Sequence, residues 1–89
     1  MSGPLTPGNV FMLDGSRRRG GVNQITMVRD GRVVGVLEEG DTLMLLRVYP
    51  REVLAPREVA EWRILAKGQE ATITVGRDAR DSLRLVTQV

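Results

Sequence analysis

The sequence predicts a mainly β protein: a small antiparallel barrel or sandwich of about five to six strands behind an extended N-terminal arm. Three observations carry that reading. Runs of β-branched and aliphatic residues recur from Val22 to the C-terminus, and glycine-containing turn signals separate them at near-regular spacing. The 89 residues amount to one domain or less. The composition, 42% apolar and 27% charged, is globular.

Taken in order, residues 1–9 contain Gly3, Pro4, Pro7 and Gly8, which suit neither a helix nor a central strand, and they read as a flexible arm. Val10-Phe11-Met12-Leu13 is an apolar peg closed by the turn signal Asp14-Gly15. The chain thus divides into an arm and peg over 1–14, a basic Gly/Arg loop over 15–21, and a single β-domain over 22–89. Val22 to Val28 is a strand, and Arg29-Asp30-Gly31-Arg32 carries the Asp-Gly pair of a type I′ hairpin. Arg32 to Leu37 returns, with Gly35 placed for a bulge. After Glu38-Glu39-Gly40-Asp41 turns the chain, Thr42 to Tyr49 is so apolar that burial on both faces is expected.

The stretch 50–61 repeats Pro-Arg-Glu-Val at a period of six, too few copies for a solenoid. Residues 57–67 carry two patterns. Pro56, Glu58, Lys67 and Gly68 suit the start and end of a helix, whereas Ala60, Trp62, Ile64 and Ala66 alternate as in a strand. A hairpin with Trp62 facing the core, leading into Ala71 to Val75, is the preferred reading, with one helical turn near 56–60. Residues 76–82 read as a turn and 83–89 as the last strand. The expected core is Ile25, Val34, Val36, Leu43, Leu45, Trp62, Ile64, Ile73, Val75, Leu83 and Leu85.

The chain has neither histidine nor cysteine. That excludes Ser-His-Asp and Cys-His catalysis, Cys/His zinc sites, disulfides and thiol redox chemistry. Ser16, Ser82 and Lys67 formally allow a Ser–Lys pair, but both serines lie in turn sequences where serine is common. The carboxylates Glu38, Glu39 and Asp41, and again Asp78 and Asp81, each fall within one turn, which suits solvation better than hydrolysis across a cleft. No calcium loop, phosphate loop or dinucleotide fingerprint occurs. A protein without enzymatic activity, cofactor or metal is expected.

The net charge is only +2, but residues 1–37 hold five arginines against two aspartates. Arg17, Arg18 and Arg19, set between Ser16 and Gly20-Gly21, form a dense cationic loop suited to phosphate or to an acidic partner. With three aromatic residues in all, base stacking has few platforms. The leading expectation is a structural or assembly protein, such as a virion or particle component, contacting other subunits in a homo- or hetero-oligomer. Val10, Phe11, Met12 and Leu13 would anchor it in a neighbour's apolar groove. The alternative is a small β-barrel nucleic-acid-binding or regulatory module using Arg17 to Arg19. The opening residues lack the basic and apolar regions of a signal peptide, and no run approaches a membrane span. Synthesis in the cytoplasm, followed by incorporation into a particle, is the expected course, with no membrane partner.

Overall fold

The computed structural model describes residues 5–15, 21–50 and 60–89. Its elements are β1 (Val10–Leu13), β2 (Gln24–Arg29), β3 (Arg32–Glu38), β4 (Thr42–Pro50), β5 (Ala60–Ala66), β6 (Gln69–Val75), α1 (Arg77–Ser82) and β7 (Leu83–Thr87). The seven strands form one antiparallel sheet in the order β3-β2-β6-β5-β4-β1-β7. β3 and β7 lie at its two ends, so the sheet is not closed into the expected barrel. Seven strands about 4.8 Å apart would make a wide, thin slab if laid flat. The near-equal extents of 33 × 32 × 30 Å show instead a sheet coiled around its inner face.

Two hairpins form for a local reason. Asp30-Gly31 and Lys67-Gly68 all have positive φ, between 51° and 76°. That is the pairing a type I′ turn demands, and its twist matches that of the flanking strands. Alternation then assigns the faces. Ile25 and Met27, Leu43 and Leu45, Trp62, Ile64 and Ala66, and Ala71, Ile73 and Val75 all point inward and are buried. Strand is therefore the state of 60–66, with Trp62 in the core as the alternation requires. Of the helical turn expected near 56–60, only Ala60 lies within the described residues, and it opens β5.

Several expectations are corrected. The peg Val10–Leu13 is a strand between β4 and β7, pairing with both. Just before it, Asn9 is fully buried; its Oδ1 accepts the Val89 N–H at 2.7 Å, and the Gly8 N–H donates to the Leu45 carbonyl at 2.7 Å. Residues 77–82, expected as a turn, form a six-residue helix. Its Ser82 is buried, donates to the Asp78 carbonyl and accepts the Val22 N–H, both at 2.9 Å. β4 is buried on one face only, since Met44, Arg47 and Tyr49 are exposed.

In β3 the register slips between Met27↔Gly35 and Val28↔Val33, which leaves Val34 unmatched. This bulge, one residue before the position expected from Gly35, puts Leu37 in the core. Val36, one residue out of phase with Leu37, stays only half-buried, and Val34 packs partly against the core. Leu85 likewise packs from the margin. A similar slip between Leu45 and Arg47 lets both Leu45 and Val48 reach the core.

Phe11 and Trp62 meet in the core, ring centroids 5.1 Å apart and planes tilted by 54°. The Arg80 guanidinium, carried by α1, lies 5.5 Å from the Phe11 ring and 5.8 Å from the Trp62 ring. It covers this end of the core with a cation–π contact. Phe11→Ala should destabilise by about 3–5 kcal/mol, as expected for a buried aromatic in a well-packed site. Removing residues 1–14 should leave a chain with no cooperative unfolding transition. Ser82→Ala strands the Val22 N–H and should cost about 1–3 kcal/mol. Urea titration followed by Trp62 fluorescence checks all three.

Candidate functional site

β3 is seven residues long and lies at one end of the sheet, hydrogen-bonded to β2 on one side only. Its sequence explains both facts. Val33, Val34 and Val36 favour extended backbone, and the two-residue Asp30-Gly31 turn folds β3 directly onto β2. The following turn, Glu39-Gly40-Asp41, then carries the chain away to β4, four places along in the sheet order. No element among the described residues pairs with the outer side of β3. Val33 is 66% exposed, and residues 33–37 carry no charge. The bulge carbonyl of Val34 accepts the Gln69 side-chain amide at 3.0 Å, which fixes this part of the strand.

Charge is divided along the strand. At the hairpin end Arg29 faces Arg32 across the β2–β3 ladder, a like-charge pair of the kind that costs stability. At the other end stand Glu38 and Glu39. Here the Asp41 carboxylate accepts the Glu38 N–H at 2.8 Å and pairs with the Lys67 ammonium at 3.2 Å. The Glu38 N–H, helped by Lys67, holds the Asp41 carboxyl below its ordinary value of 3.8.

The opposite edge is built differently. β7 has five residues and a register slip beside Val86. It carries the exposed Arg84, 3.7 Å from Asp14, and is followed by the Val89–Asn9 hydrogen bond. A short, bulged, charged edge resists further pairing.

Two other surfaces stand out. On the outer face Val10, Met44 and Leu65 lie in one row across β1, β4 and β5. Near it the Arg47 guanidinium sits 4.9 Å from the centre of the Tyr49 ring, and Arg63 donates from Nε to Glu70. The Glu70 carboxylate, with the Tyr49 hydroxyl, raises the Arg63 pKa further. Between β2 and β6, which pair only at Val28↔Thr72, the strands part to leave an open groove of about 330 Å³. Gln24, Thr26 and Thr74 are its polar lining, and among the described residues no ionisable side chain lines it.

The residues singled out from sequence are separated by the fold. Phe11 and Leu13 have no exposed surface and fill this chain's own core. Val10 and Met12 alternate to the outer face and are half-buried. Arg17, Arg18 and Arg19 lie outside the described residues. Ser82 and Lys67 are each held by other partners, Asp78 and Val22 for the hydroxyl and Asp41 for the ammonium. Among the described residues no three acidic side chains converge as a metal site, and no helix is long and apolar enough to cross a membrane. The β3 edge was missed: the uncharged run between Arg32 and Glu38 is visible in the sequence, but its place at an edge comes from strand order.

The Asp41 contacts give a pH test. A carboxyl whose pKa is lowered by folding contributes stability that is complete above the unfolded value and lost as pH falls through the folded one. Asp41→Asn should therefore lower stability at neutral pH and remove part of the loss that the parent protein shows as pH falls below 3.8. Denaturant midpoints measured from neutral to acid pH for both proteins check this.

Compared with protein-family models, with curated proteins and with solved structures, the chain matches none of them.

Proposed function

We propose that this chain is a non-enzymatic structural or assembly protein, a small β-domain that works through protein–protein contacts, such as a component of a virion or another particle. The observation that carries this reading is the open β3 edge, long and uncharged at its centre. Sheet proteins ordinarily blunt such an edge, because its free N–H and C=O groups recruit further strands. An edge left in this state is suited to a partner strand, with main-chain hydrogen bonds supplying affinity. The small core points the same way, since a chain of 89 residues gains much from added buried surface. The absence of histidine and cysteine leaves few routes to catalysis. Synthesis in the cytoplasm and incorporation into a larger particle fit this role.

A nucleic-acid-binding or regulatory module is the second reading. It is favoured by the Tyr49 ring with Arg47 against it and Arg63 nearby, which together with Arg17 to Arg19 would provide a stacking surface and phosphate contacts.

Size-exclusion chromatography with light scattering, run with and without a single-stranded oligonucleotide, separates the two. The assembly reading expects a mass above the 9.8 kDa monomer that rises with concentration and ignores the oligonucleotide. A monomer that shifts oligonucleotide at low salt, and loses it as salt rises or on Arg47→Ala, would replace assembly with nucleic-acid binding.

A further inference from the structure

We infer that β3 pairs with β3 of a second copy of this chain, antiparallel across a two-fold axis, so that two sheets become one. The inference rests on the assembly reading and names its partner. Among the described residues only β3 and β7 have an open side, and β7 is short, slipped in register at Val86 and followed by a bond from Val89 to Asn9. β3 is longer; its slip at Val34 lies toward the hairpin, and Asp41 takes the Glu38 N–H and donates to the Glu38 carbonyl, which leaves Gly35–Leu37 as the regular open stretch.

The charges along β3 choose both the partner and the direction. Arg29 and Arg32 stand at one end, Glu38 and Glu39 at the other, and nothing charged lies between residues 32 and 38. An antiparallel copy brings the basic end of each strand beside the acidic end of the other, twice over. A parallel copy would set like charges together at both ends, which is unfavourable. An isologous contact requires a patch complementary to itself. A strand that is basic at one end, acidic at the other and apolar between meets that requirement without any further partner.

The arginine pair at the hairpin end also gains a reason. Arg29 opposite Arg32 is a cost within one chain, and the acidic end of a second copy would relieve it.

Sedimentation velocity over a range of concentrations tests the inference on the full chain and three variants. Arg32→Glu and Glu38→Arg should each weaken dimerisation by about tenfold, since the two-fold axis repeats each cross-strand like-charge contact. The double variant should recover most of that loss. R32E turns the cross-strand Arg29–Arg32 contact into an opposite-charge pair, so a lost dimer in that variant is not a lost fold, and circular dichroism checks this directly. Weakening by each single change with recovery in the double change supports the β3 pairing. Oligomers indifferent to all three variants would overturn it and leave assembly through another surface. A monomer at every concentration would overturn the pairing and self-assembly together. Weakening without recovery would also overturn it, pointing to a β3 partner other than a second copy.

Discussion

Everything in this fold depends on a four-residue strand finding its place between two others. β1 pairs with β4 on one side and β7 on the other, so among the described residues β7 joins the sheet through β1 alone. Phe11 faces Leu43 on one neighbour and Leu85 on the other while its ring meets Trp62 beneath. The bonds at its ends extend the tie. The Leu13 N–H donates to Asp41, the Gly40 N–H to Leu13, and the Asp14 N–H to Ser82, at 2.7–2.9 Å. Burying Phe11 and Leu13 contributes several kcal/mol, roughly 1.5–3 for each side chain. That is a large share of what an isolated domain of this size has in reserve. The contacts also join residues near the two chain ends, Val10 with Thr87, which makes late, slow closure of the sheet the expected folding order.

The same arrangement accounts for the contrast between the two edges. Once β1 and the Asn9–Val89 bond hold β7 down, that side of the sheet is finished. β3 is held by its hairpin, by Gln69 and, at Glu38, by Asp41, and among the described residues no strand pairs with its outer side. On the proposed reading, stability and interaction lie at opposite ends of one sheet, with the N-terminal strand at the first and the β3 edge at the second.

The parts of the fold governed by local chemistry were legible from sequence. Asp30-Gly31 marked its hairpin, and the alternation around Trp62 favoured strand over helix for 60–66, as observed. What escaped was set by long-range partners. Four apolar residues behind Pro7 and Gly8 are too few to read as a strand, and only β4 and β7 make them one. The bulge at Val34 cannot be seen until β2 is laid alongside, so the inward set was placed one residue off at Val34 and Val36. The run 77–82 has the Asp and Ser of a turn, yet Ala79 and Ser82 find buried positions one helical turn apart. Of the candidate site, the charge pattern of β3 was visible throughout; that β3 lies at an edge is a property of strand order, which no local signal encodes.

Amide hydrogen exchange at β1 tests the internal docking of this strand most directly. The N–H groups of Gly8, Leu13 and Leu45, which donate to Leu45, Asp41 and Asn9, should be protected at every protein concentration and exchange only through global unfolding. Rapid exchange at Leu13, or protection that appears only as concentration rises, would contradict it, because β1 would then belong to a neighbouring chain.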